Sequence, residues 1–115
     1  MADFNTSIKE QGAVSIINLK GYLDAHTAPI LENNFVDLID KNRFNIVVDF
    51  KDLAYISSAG LGLFMAYIEK IRESKGDIKL SGMTDKVYNI FDLLGFPLLY
   101  EIFKSEDEAV KKFIE

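Results

Sequence analysis

Hydrophobic and polar positions change period several times along the chain, and each change marks an element. Phe4 to Lys9 and Val14 to Lys20 are short, rich in β-formers and separated by the turn-like Glu10-Gln11-Gly12, so they predict a hairpin. After Gly21 the period lengthens. Thr27 to Lys41 sets Ile30, Leu31, Phe35, Leu38 and Ile39 on one helical face, with Thr27 as N-cap and Pro29 in the first turn. Phe44 to Phe50 is a nearly continuous apolar run with a β-branched centre, which predicts a central strand covered on both faces. From Ser58 to Ser74, Leu61, Phe64, Ile68 and Ile71 recur at helical spacing, opposite the wet side formed by Glu69, Lys70, Arg72 and Glu73.

Gly76 is expected to stop that helix, and Asp77 to Ser81 predicts a short strand. Thr84 to Leu94 reads as a third helix, capped by Thr84 or Asp85 and ended by Gly95 and Pro97. Leu99 to Phe103 predicts a last strand. Ser105, with Glu106, Asp107 and Glu108 behind it, has the form of an N-cap with dipole-complementing acids and predicts a fourth helix running to Ile114.

The order β-β-α-β-α-β-α-β-α implies an α/β domain with a mixed sheet: an N-terminal hairpin, then β-α units whose right-handed crossovers gather the carboxyl ends of the parallel strands on one edge. With 115 residues there is room for a single domain, 1–115. Forty-nine per cent hydrophobic and 27% charged residues fit an ordinary globular chain. No cysteine is present, which excludes disulfides, thiolate catalysis and cysteine-ligated metal, and one histidine, His26, excludes a histidine-rich metal site. A net charge of -5 repels phosphate backbones and anionic lipid, so neither nucleic acid nor membrane is an expected partner. The opening residues lack a basic segment leading into an apolar one, and a cytoplasmic location is expected.

At the expected edge, separate segments deliver acids and hydroxyls: Gly21-Tyr22-Leu23-Asp24 ends the second strand, Val48-Asp49-Phe50 the third, and a loop through Asp52 leads to Ser57-Ser58-Ala59-Gly60-Leu61-Gly62. Ser57 or Ser58 should cap the long helix. Gly60 and Gly62 lie in its first turns, where each costs up to about 1 kcal/mol relative to alanine, so something should approach closely there, either the sheet beneath or a partner outside. A serine at such a terminus suits a phosphoryl group, which faces free N–H groups and adds roughly -1.5 to -2 charges to an exposed rim without unfolding the domain.

Enzyme readings fit less well. Ser58, His26 and Asp24 have the letters of a hydrolase triad, but Ile56 breaks Gly-x-Ser-x-Gly and nothing sets His26 beside Ser58, so His26 is expected in an exposed turn. Asp49 and Asp52 could offer carboxylates to magnesium but read better as a strand-end acid and a turn residue. Gly60-Leu61-Gly62 is neither a dinucleotide fingerprint nor a P-loop, and Phe64, Met65 and Tyr67 read as core or helix-surface packing. No catalytic residue, metal or cofactor is expected.

Nearly the whole chain resembles the STAS-domain anti-sigma factor antagonists of bacteria. The marks are Gly21-Tyr22-Leu23-Asp24-Ala25, Val47-Val48-Asp49-Phe50, Tyr55-Ile56-Ser57-Ser58-Ala59-Gly60-Leu61-Gly62 and, more weakly, Leu93-Leu94-Gly95-Phe96. The family's central motif reads Asp-Ser-Ser/Thr/Ala-Gly-Leu-Gly with its first serine phosphorylated, which implies Ser58 as the phosphosite and Ser57 as second choice. Ser57 stands where the family often has aspartate, adding a hydroxyl and removing a carboxylate. Asp24 matches a residue that grips the anti-sigma factor. The resemblance implies partner contact through Asp24, Ser57, Ser58, Ala59, Gly60, Leu61 and Gly62, with Gly21 and Asp49 supporting the site. It further implies a monomer or weak dimer that binds an anti-sigma factor/serine kinase when unphosphorylated, frees a sigma factor, and is restored by a serine phosphatase. The alternative is an unphosphorylated STAS scaffold or ligand-sensing module.

Overall fold

A computed structural model describes residues 3–114, so the outermost ends of the expected 1–115 domain lie outside the described residues. The elements are β1 (Phe4–Gln11), β2 (Val14–Leu23), α1 (Ala28–Asp40), β3 (Asn45–Ile56), α2 (Ser58–Glu73), β4 (Asp77–Ser81), α3 (Asp85–Leu93), β5 (Ile102–Phe103) and α4 (Glu106–Ile114). They form the expected mixed sheet, in the order β1-β2-β3-β4-β5, with β1 antiparallel to β2 and the remaining pairs parallel.

The alternation of side chains along the strands divides the core between two faces. Ile17, Leu19, Ile46, Val48, Phe50, Ile78 and Leu80 pack under α1, α2 and α3, whose apolar stripes include Phe35, Phe64 and Phe91. Val14, Ile16 and Val47 point the other way and are covered by Ala109 and Val110 of α4. The second face is therefore roofed only at the end where the strands begin.

Several boundaries differ from the sequence expectation, each for a local reason. The hairpin turn is Gly12-Ala13, because Gln11 still pairs with Val14; Gly12 takes a left-handed φ of 62°. Lys75, not Gly76, adopts the left-handed conformation after α2, with φ 67°. Gly76 is needed for proximity, since a Cβ there would sit 2.0 Å from the carbonyl oxygen of Phe44. Pro97 does more than end α3: Phe96–Leu98 forms a 3₁₀ turn, which leaves only Ile102–Phe103 to pair with β4.

The largest departure is β3, which runs on to Ile56 instead of ending at Phe50. Its pairing with β4 ends at Asp49–Ser81, and beyond that point it is held by β2 through two register shifts, at Asn18/Lys20 and Gly21/Tyr22. Losing a neighbour on one side exposes the strand, which allows Lys51, Asp52 and Tyr55 where an enclosed strand would carry apolar residues.

Candidate functional site

Two strand ends and one helix start meet at the rim. The Ser57 amide donates to the Leu23 carbonyl at 2.9 Å, so the next residues, Asp24 and Ser58, emerge side by side. Gly21 makes this possible: it has φ 102°, and a Cβ there would lie 2.0 Å from the Asp3 carbonyl oxygen, whose other neighbour is the Tyr22 amide at 2.9 Å.

Ser57 is the N-cap residue of α2 by backbone geometry, extended at φ -99° and ψ 173°, but its hydroxyl makes no capping bond. Ser57 Oγ is buried and has no hydrogen-bond partner among the described residues. Ser58, the first helical residue, is exposed. The extended residue points inward and the helical one outward, which separates two serines the sequence left nearly equivalent. The first intrahelical bond is from Leu61 N to Ser57 O at 3.0 Å, so the amides of Ser58, Ala59 and Gly60 have no carbonyl one turn earlier to bind. No acid occupies the first turn of α2, while Lys70 and Arg72 lie in its last turn; the positive end of the dipole is left uncompensated beside Ser58.

The two glycines have different surroundings. A Cβ on Gly60 would approach Leu23 Cγ at 2.8 Å and Ile56 Cγ1 at 3.0 Å, so Gly60 lets the helix settle on the sheet. A Cβ on Gly62 would meet nothing within 4 Å, and the residue is exposed. Leu61 belongs to the core, whereas Ala59 is exposed. Ser58, Gly62 and Met65 follow one another at helical spacing as an exposed stripe, so Met65 is surface, while Phe64 and Tyr67 are buried as expected.

Asp24 Oδ1 accepts the amides of His26 at 2.9 Å and Thr27 at 3.1 Å and so fixes the turn into α1. Thr27, expected as a side-chain cap, spends its hydroxyl elsewhere: it accepts from Asp24 N at 2.9 Å and donates to Tyr22 O at 2.8 Å. Among the described residues Asp24 Oδ2 receives no hydrogen bond and remains available at the rim. His26 is exposed in the turn.

Neither of the other two acids sits as expected. Asp49 is not a strand-end rim acid, because β3 continues past it; it is 7% exposed and lies under α4. It accepts from Ser81 Oγ at 3.0 Å and Asn18 Nδ2 at 3.3 Å. Asn18 also donates to Glu106 at 2.9 Å, and Glu106 pairs with Lys9 at 2.7 Å. Burial pushes the Asp49 carboxyl above its ordinary value, against the hydrogen bonds from Ser81 and Asn18. Burial acts on Glu106 in the same sense but is outweighed by the hydrogen bonds from Lys9 and Asn18, and its carboxyl titrates below the usual range. Asp49 thus ties β2, β3 and β4 together beneath α4. Asp52 is not in a loop: it is exposed on β3, in register with Lys20. Among the described residues no three His, Cys, Asp or Glu side chains are arranged to hold a metal ion, and no helix is long and apolar enough to cross a membrane.

The domain is an open-edged mixed sheet that presents the bare start of α2 and an exposed serine at its rim. Its family is shown by the STAS-domain profile, which matches residues 5–109; the chain belongs to the STAS-domain family. It is 24% identical over 109 residues to the anti-sigma-B factor antagonist of Bacillus subtilis (strain 168), covering 95% of this chain and 99% of that protein. The crystal structure of an anti-sigma factor antagonist from Mycobacterium paratuberculosis superposes with a TM-score of 0.90 at 20% identity, over 98% of this chain and 96% of that one. The phosphorylated form of the Bacillus cell fate determinant SpoIIAA gives 0.76 at 19% identity, over 95% of this chain and 99% of that one.

Sequence reasoning passed over Tyr22 and Tyr55. They are 45% and 43% exposed, with ring centroids 6.0 Å apart. The available signal was alternation: each directly precedes a core residue, Leu23 or Ile56.

Proposed function

We propose that the chain is an anti-sigma factor antagonist that works as a phosphorylation-controlled binding module in the cytoplasm. In its unphosphorylated form it binds an anti-sigma factor that is also a serine kinase, and the sigma factor is freed. Kinase action attaches the γ-phosphoryl group of ATP to Ser58 Oγ, the bond to the β-phosphate oxygen breaks, ADP leaves, and the hydroxyl proton passes to a base of the kinase. A serine phosphatase reverses the modification. The antagonist itself is a monomer or weak dimer and supplies no catalytic group or cofactor.

The observation that carries this reading is the contrast between Ser58, exposed on the bare first turn of α2, and Ser57, whose Oγ is buried. A phosphate on Ser58 is compatible with the fold because it projects outward toward unpaired amides. It is incompatible with a close partner, since a dianion brought into a dry interface beside Asp24 loses its hydration without gaining a countercharge. A 1,000-fold change in affinity needs about 4 kcal/mol, well within what one unmatched buried charge costs.

Incubation with the cognate kinase and ATP, followed by mass mapping, should find phosphate on Ser58 and none on Ser57. Ser58→Ala should bind the kinase persistently and resist modification, while Ser58→Asp should bind weakly. Equal affinities for the wild type and both variants would refute the switch. Native mass spectrometry of the purified chain tests the other reading, for which a copurifying small molecule would speak.

A further inference from the structure

We propose that the Tyr22–Tyr55 pair is the aromatic anchor of the partner's footprint, which therefore extends from the start of α2 onto the unroofed half of the sheet. This rests on the binding-module reading above and adds where most of the affinity resides.

The two tyrosines are register partners across β2 and β3, with rings tilted by 33°. The following pair, Leu23 and Ile56, is buried beneath the helices, so the tyrosines stand on the opposite face. On that face α4 covers Val14, Ile16 and Val47 at the far end and leaves the tyrosines open. The bond from Ser57 N to Leu23 O places the pair directly behind Asp24 and Ser58.

Area argues for the extension. A specific interface takes about 800 Å² from each partner. Asp24, Ser58, Ala59 and Gly62 are too small to supply that surface. Among the large exposed side chains, Tyr22 and Tyr55 directly precede Leu23 and Ile56 at the rim, and Met65 lies one turn beyond Gly62 on the outer stripe of α2. Lys20 and Asp52, exposed and in register on the same face as the tyrosines, are of opposite sign, so the surface beside the rings carries no net charge and the fitting occupant is an uncharged, largely apolar loop of the anti-sigma partner. Tyrosine gives much contact area for little lost rotamer freedom, which is why it is enriched among the residues that dominate interfaces.

Calorimetric titration of the cognate anti-sigma factor/kinase with Tyr22→Ala, Tyr55→Ala and the corresponding Phe variants tests the proposal. Each alanine variant should weaken binding by about 10-fold or more, and the Phe variants should retain wild-type affinity. Oxidative footprinting of the wild-type complex should show both rings protected. Wild-type affinity in both alanine variants, or equal labelling of the rings in the free and bound chain, would overturn the anchor. Protection that grows with the concentration of the chain alone would identify a second copy as occupant and would also overturn it. Ser58→Asp in the same series keeps the two readings apart: weakened binding there with unaffected tyrosine variants removes the anchor and leaves the switch standing.

Discussion

Replacing Gly60 and Gly62 separately by alanine compares two positions in the same helix with opposite surroundings. Alanine lowers the conformational cost of a helical position by about 0.5–1 kcal/mol relative to glycine. At Gly62 nothing lies within 4 Å of the new methyl group, so the gain should appear undiminished as added stability. At Gly60 the methyl would press on Leu23 and Ile56, which are buried at 0% and 3% exposure. Overpacking of that kind costs about 1–3 kcal/mol, which leaves a net loss of about 1 kcal/mol after the helical gain. The two variants should therefore differ by about 2 kcal/mol, or about 1 M or more in urea midpoint for a chain of this size. The chain has no tryptophan, so far-ultraviolet circular dichroism is the suitable probe. Coincident midpoints, or a Gly60→Ala chain more stable than Gly62→Ala, would refute the assignment of one glycine to packing and the other to the surface. The partner supplies the converse: Gly62→Ala, the more stable protein, should bind the anti-sigma factor less well.

Gly21→Ala should cost more than about 2 kcal/mol, because the new side chain meets both a φ of 102° and the Asp3 carbonyl; thermal unfolding of the purified variant measures it. Asp49→Asn should remove a loss of stability that the wild type undergoes as pH rises. With its folded value raised, Asp49 makes the native state the stronger proton binder between the ordinary value of 3.8 and the raised one, so wild-type stability falls as pH rises across that window and stays lower above it. From about pH 4 to about pH 7 the urea midpoint should rise more, or fall less, in the variant than in the wild type, where the loss from Asp49 opposes the gain from Glu106.

Element order, sheet class and the helical faces were legible because they rest on period: Ile46, Val48 and Phe50 alternate, and Leu61, Phe64, Ile68 and Ile71 recur at helical spacing. The end of β3 was not, because Lys51 and Asp52 look like a loop unless it is known that β4 stops at Ser81 and leaves that part of β3 with one neighbour. The place of Asp49 is hidden for the same reason: its bonds to Asn18 and Ser81 follow from the register of β2, β3 and β4, and the link through Asn18 to Glu106 from α4 returning over the second face, long-range events with no local mark. At the site, the motif supplied Ser57, Ser58 and Gly62, but which hydroxyl faces out is decided by the turn from extended to helical backbone between them. Gly76 has the sequence signature of a conformational stop, but its role is closeness to Phe44, a distinction visible only in three dimensions.

The partial roof formed by α4 has a practical corollary for mapping complexes. Tyr22 sits on β2, whose backbone is paired with β3, and its N–H is engaged by Asp3 at 2.9 Å. Deuterium uptake there should be slow with or without a visitor, so a method that watches peptide groups would pass over contact made by the rings. Reagents that modify phenol rings would register it.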